Sequence, residues 1–206
     1  SSANLLLIAA CKEYYGWKDN DQILISVLGF PTTTSSVFHN RLTPRFVDIE
    51  MDSLNWNMDE VEKILRSESI KAVFVSPVLG NPIDMDRLTV ICNETGTVLL
   101  LDNCDSILSS WRGKYLNEYA VISSCSLYVA HEITTLEGGM VSSDNQKLID
   151  IARSYGTWGR AGECVSVANL LPKGCCGKRF SCWIDAIPET VVDHRYVFDR
   201  MGWNLK

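Results

Sequence analysis

One stretch limits the fold more than any other: Thr97-Val98-Leu99-Leu100-Leu101, apolar from end to end and closed by Asp102. A strand with one wet face alternates polar and apolar residues, whereas a run that is apolar throughout needs cover on both faces. Helices on two sides of a parallel sheet provide that cover. The rest of the chain supplies the parts. Ile23 to Leu28, Arg45 to Ile49, Lys71 to Val75, Val121 to Ser126 and Met140 to Ser142 read as further strands. Residues 3–15 read as a nearly all-apolar helix buried on most sides, and 33–41 as a second helix. Met58, Val61, Ile64 and Leu65 mark the inner face of a third. Asp84 caps a fourth helix with Met85, Leu88 and Ile91 on one face. Asp144 begins a fifth, which turns Leu148, Ile149, Ala152 and Tyr155 to the core. The expected class is α/β, with a doubly wound, mainly parallel sheet.

A chain of 206 residues is long enough for one domain with a proper core. Its net charge of -6 argues against a nucleic-acid partner. No apolar run approaches the roughly 18 residues of a membrane span, and the first residues lack the basic lead of a signal peptide. Eight cysteines without such a signal point to reduced thiols in a cytosolic protein.

Ligands of open α/β sheets bind outside the carboxyl ends of the strands, which is where Asp102 is placed. A carboxylate there suits a protonated ring nitrogen. Ser1 and Ser2 open the first helix, where hydroxyls and backbone N–H groups suit a phosphate. From Ser123 to Val141 the pattern is a strand end, a polar turn centred on His131, a Gly138-Gly139 break and another strand.

Together these stretches resemble the sugar aminotransferase and dehydratase family that uses pyridoxal phosphate, enzymes of fold type I with an aspartate-aminotransferase-like large domain. The family keeps a serine five residues before a Schiff-base lysine, with Glu-Gly-Gly shortly after. Here Ser126 is that serine, Glu137, Gly138 and Gly139 are the triplet, and His131 stands at the lysine position. Asp102 lies 29 residues before His131, as the family's aspartate does, and Asp105 matches a polar position near the cofactor. Phe30 falls where an aromatic ring stacks on the pyridine, Gly80-Asn81-Pro82 matches a loop of the dehydrase subgroup, and Ser1 and Ser2 match the phosphate turn. Histidine at the lysine position, with Tyr128 and Ala130 before it, resembles the 3-dehydrases that remove the C3 hydroxyl of nucleotide-linked 4-keto-6-deoxy sugars. Imidazole cannot hold the cofactor covalently, so the resemblance implies non-covalent pyridoxamine phosphate, with His131 as the base. Leu136 for the glycine before Glu137, Glu132 for a second histidine, and Val129 for proline are departures that bear on the turn's geometry.

The tail resembles the iron–sulfur 3-dehydrases in Tyr155 to Arg160, Cys176 to Phe180, Asp193 to Tyr196 and Gly202 to Lys206. Cys104, Cys164 and Cys176 match three ligands of a [2Fe–2S] cluster, while the fourth position, two before Cys164, is Gly162. The resemblance therefore leaves two routes open. One returns electrons from a reductase partner through the cluster, and the other regenerates the cofactor from glutamate without a cluster. Asn204 matches an asparagine that reaches the cofactor phosphate of a neighbouring subunit, which implies a homodimer. By the same resemblance residues 1–206 cover most of the large cofactor domain, without the family's N-terminal segment and C-terminal small domain. A sugar aminotransferase lacks its lysine here, since Lys114 and Lys147 are out of register. A truncated or degenerate non-catalytic copy is the remaining alternative.

Overall fold

The structure is a computed structural model that describes residues 1–157. Its elements alternate as the apolar runs require. They begin with α1 (Ser2–Tyr15), β1 (Gln22–Ser26), α2 (Pro31–His39), β2 (Thr43–Val47), α3 (Met58–Ser67) and β3 (Ile70–Val75). Next come α4 (Met85–Thr95), β4 (Val98–Asp102), the short pair β5 (Ser110–Trp111) and β6 (Lys114–Tyr115), then β7 (Ile122–Ser126), β8 (Gly139–Ser142) and α5 (Gln146–Gly156). Six strands form one sheet in the order β2-β1-β3-β4-β7-β8. All its pairings are parallel except β7 with β8. The mainly parallel sheet is as expected, and β4 lies in its interior.

Both faces are covered. Leu24, Val73, Val75, Leu99 and Leu101 pack with Val61, Ile64, Leu65, Leu88 and Ile91 of α3 and α4. Their neighbours along the strands, Ile23, Ile25, Ala72, Phe74 and Leu100, pack with Leu7, Ile8, Val37, Leu148 and Ile151 of α1, α2 and α5. Successive strand side chains point to opposite faces, so an uninterrupted apolar run divides into two cores.

The helix ends differ in detail from the sequence reading. Asn57 and Asp84 cap α3 and α4 through side-chain oxygens. The cap of α5 is Asn145, not Asp144, because its side chain accepts from Lys147 N–H. On α5 the buried apolar residues are Leu148, Ile151 and Ala152, while Ile149 and Tyr155 are only partly buried. Ser1 sits at the N-cap of α1 without a side-chain capping bond. The second outer strand, β2, starts two residues earlier than expected and includes Pro44. Thr43 N–H donates to Asp21 O and Val47 O accepts from Val27 N–H, so these residues face β1 while Pro44 and Phe46 face away. No helix among the described residues is long and apolar enough to cross a membrane.

Candidate functional site

Asp102 ends β4 and pairs in register with Ser124 of β7. Adjacent strands bring such partners to about 5 Å apart, close enough for one amide to span. Asn4 of α1 does so. Its Nδ2 donates to Asp102 Oδ2 at 2.6 Å and its Oδ1 accepts from Ser124 Oγ at 2.5 Å. Thr33 Oγ1 of α2 donates to the same carboxylate oxygen at 2.7 Å. All four residues are at least 95% buried: Asn4 1%, Ser124 1%, Asp102 4% and Thr33 5% exposed. Oδ1 accepts a long bond, 3.4 Å, from Cys104 N–H, and the Cys104 thiol also interacts with this carboxylate. The carboxylate is thus fixed by one oxygen while the other keeps accepting capacity, a setting that suits a cationic N–H. Asn4, Thr33 and Ser124 were not expected from the sequence. A lone amide within the apolar Ala3 to Ala10 run was the available signal.

Beside this node a cavity of about 470 Å³ is lined by Ser1, Ser2, Cys104, Ser126, Tyr128 and Arg153, among others. Its wall includes the start of α1, whose first intrahelical bond is Leu5 N–H to Ser1 O. The preceding amides have no partner within the helix, and the end of the helix is electropositive. Two serines, Ser126 and that helix start make a set of donors fit for a phosphate. Arg153, also missed in the sequence, adds a cation to the wall and pairs with Asp150 at 3.2 Å.

Not every expected residue lines this cavity. Phe30 precedes α2 with its ring 66% exposed and is not among the lining residues. Its carbonyl accepts from Thr33 N–H, which ties its backbone to the residue that holds Asp102. His131 and Asp105 form a separate pair, with Nδ1 3.2 Å from Oδ1. The turn that carries His131 is closed by Leu127 N–H to Gly138 O, Thr135 N–H to Leu127 O and His131 N–H to Tyr128 O. Leu136, where glycine was expected, has φ +71°, the left-handed region that bulky side chains rarely enter. Leu136 therefore carries local backbone strain.

Cys104 lines the cavity with Cys125. Burial first, and then the Asp102 charge, push the Cys104 thiol above its ordinary range. Burial, followed by Glu132 and Asp102, raises Cys125 too. No group of three or more His, Cys, Asp or Glu among the described residues is arranged to hold a metal. Cys164, Cys176 and Asn204 lie outside the described residues.

The chain is similar to known proteins over most of its length. The model of the DegT/DnrJ/EryC1/StrS aminotransferase family matches residues 1–170. The chain belongs to that family. Over its whole length it is 32% identical to the dTDP-4-dehydro-2,6-dideoxy-D-glucose 3-dehydratase of Saccharopolyspora spinosa, covering 44% of that protein. It is also 32% identical, again over its whole length, to the lipopolysaccharide biosynthesis protein RfbH of Salmonella typhimurium, covering 47%. Among solved structures, the Escherichia coli GDP-4-keto-6-deoxy-D-mannose-3-dehydratase with bound hydrated PLP gives a TM-score of 0.69 at 28% identity. That match covers 83% of this chain and 42% of the other. The chain therefore spans less than half the length of the relatives it matches, and its fold is the aspartate-aminotransferase-like fold type I.

Proposed function

We propose that this chain is the large cofactor domain of a pyridoxamine-phosphate-dependent 3-dehydrase. Its substrate is a nucleotide-linked 4-keto-6-deoxyhexose, which loses its C3 hydroxyl in deoxysugar synthesis of the lipopolysaccharide O-antigen kind. One observation carries this reading: an imidazole, paired with Asp105 at 3.2 Å, stands after β7 where family members keep an amine. The 3-dehydratases among its relatives support it.

When bound, pyridoxamine phosphate supplies an amine for the C4 ketone and an electron sink beside it. The chain's own residues do the rest. Ser1, Ser2 and Ser126 would hold the cofactor's phosphate, and Asp102 Oδ1 would hold the proton on its ring nitrogen. Asp105 Oδ1, 3.2 Å from His131 Nδ1, favours the proton on that nitrogen and leaves Nε2 as the basic atom. Nε2 takes a proton, and the imidazolium so formed serves as a proton source for the C3 hydroxyl that leaves as water.

Two routes return the site to its starting state. Cys104 with Cys164, Cys176 and one further thiolate would hold a [2Fe–2S] cluster fed by a reductase. The alternative is glutamate-driven regeneration without a cluster. We also assign the protein to the cytoplasm, as a homodimer in which Asn204 reaches the neighbouring site.

An anaerobic spectrum of the full-length protein with pyridoxamine phosphate, iron and sulfide tests this. Cofactor retention with visible iron–sulfur bands supports the reductive route, and retention without them supports regeneration by glutamate. Binding of neither sinks the enzyme reading. Amino transfer to the sugar with the C3 hydroxyl intact would make the protein an aminotransferase instead.

A further inference from the structure

We infer that Gly80 and Ser109 are positioning residues for His131, acting through Asp105; the inference rests on the reading of His131 as the base. The loop after β3 presses directly on the loop after β4. Gly80 has φ +76°, and a Cβ there would lie 2.9 Å from the Asp105 carbonyl oxygen and 3.0 Å from Ser109 Oγ. Such distances leave no room for a side chain, so only glycine lets these two backbones meet. Across the same contact Ser109 Oγ donates to Gly80 O at 2.7 Å.

Asp105 sits within a short, internally bonded segment. Ser109 N–H donates to Ser106 O at 2.9 Å, and Ser106 Oγ donates to Asn103 Oδ1 at 2.7 Å. Both Ser106 and Asn103 are buried. On its other side the Gly80 loop is tied to the loop after β2. Asn81 Nδ2 donates to Ser53 O at 3.0 Å, and Asn55 Nδ2 donates to Pro82 O at 3.0 Å. The Gly-Asn-Pro stretch is therefore a clamp that joins three loops in series.

The last link is the pair Asp105 Oδ1–His131 Nδ1. Residues 132–138, just beyond His131, are exposed throughout, so the core gives the imidazole little orientation on that side. Asp105 is the charged group beside its Nδ1, and the backbone of Asp105 packs against Gly80, to which Ser109 is bonded. A neutral imidazole that donates from Nδ1 presents Nε2 as the proton acceptor. If Asp105 moves, the proton shifts to Nε2 and the basic atom is lost from the face that needs it.

The test is nitrogen NMR of the full-length protein labelled with ¹⁵N-histidine, at a pH where the imidazole is neutral, with His131→Asn to assign the signal. The wild type is expected to carry its proton on Nδ1. Gly80→Ala, Ser109→Ala and the comparator Asp105→Leu are expected to move the population toward the Nε2 form. In turnover assays the first two should lower kcat roughly tenfold with little change in KM, and Ser109→Thr, which keeps the hydroxyl, should retain the wild-type tautomer. If Gly80→Ala does not fold, Ser109→Ala decides alone. A wild-type proton on Nε2, or an unchanged tautomer in folded Ser109→Ala, overturns the proposal. A tautomer that moves as expected in a protein inactive on every nucleotide sugar supports the positioning role and removes the proposed substrate class.

Discussion

Asp102 and His131 follow neighbouring strands, yet the chain holds them in opposite ways. Asp102 is enclosed by β4, β7, α1 and α2, with two short bonds on one oxygen. His131 stands on a turn whose next seven residues are exposed, and its side chain, 20% exposed, pairs with Asp105. The first arrangement suits a charge that must not move. The second suits a group that has to gain and lose a proton, since an imidazole locked by two partners would have no free nitrogen. On the proposed reading, the site joins a rigid anchor to an adjustable base.

Replacing the base should have the largest effect on turnover. His131→Asn is expected to lower kcat by about a thousandfold while leaving the unfolding midpoint near that of wild type. Steady-state assays beside urea titrations check both halves. Equal losses of activity and stability would mean that the turn is part of the rigid frame.

Breaking the anchor should show the reverse pattern. Asn4→Leu strands the Ser124 hydroxyl and removes one donor from Asp102, so a loss of about 2–3 kcal/mol is expected in urea unfolding. Thr33→Val removes a single bond and should cost about 1 kcal/mol. If Asn4→Leu proved neutral, the buried network would not be what fixes the carboxylate.

The thiol next to the anchor offers a probe that leaves the sequence unchanged. Burial and the Asp102 charge raise Cys104, so at pH 8 the folded protein holds less thiolate there than the unfolded chain. Iodoacetamide labelling of Cys104, read by peptide mass spectrometry, should be at least about tenfold slower than after unfolding in urea. The same shift fixes a direction for stability. The folded state keeps a proton that the unfolded thiol releases above about pH 8.5. The contribution is therefore complete below that pH and declines as pH rises toward the folded value. Cys92, raised to about 12 by burial, acts in the same sense.

The smallest effect belongs to the turn. Leu136→Gly relieves a bulky residue at φ +71° and should stabilise the protein by up to about 1 kcal/mol, seen as a higher melting temperature. A loss of stability would mean that the 75% exposed leucine side chain makes a contact worth more than its strain.

The two regions were not equally legible in the sequence. The apolar run before Asp102 required a covered strand, and the carboxyl end of that strand required a site. Asp102 could therefore be placed at that strand end from its neighbours, while its cofactor role came from the resemblance, through the 29-residue spacing to His131. Its partners could not, because Asn4 and Thr33 lie 98 and 69 residues away and only the packing of α1 and α2 brings them together. Ser124 became meaningful once the register of β4 and β7 was known. His131 carried its meaning through resemblance, whereas its pairing with Asp105 depends on two loops whose conformations no periodicity encodes. The Gly-Asn-Pro stretch was visible as a motif, but its role as a clamp needed the distance from Gly80 to the Asp105 backbone. Asn145 displaced Asp144 as a helix cap because both residue types suit that place and only the backbone chooses.

The outer edge of β2 has a consequence of another kind. Pro44 brings no N–H to that side, and the outward carbonyl of Phe46 is already taken by Arg45 Nη1 at 2.7 Å. Arg45 is itself held to Glu68 by two bonds, at 2.9 and 2.8 Å. A foreign strand arriving here would miss one donor, at Pro44, and one acceptor, at Phe46, of those it needs to extend the sheet. Three consecutive residues thereby make that edge a poor template for polymer growth.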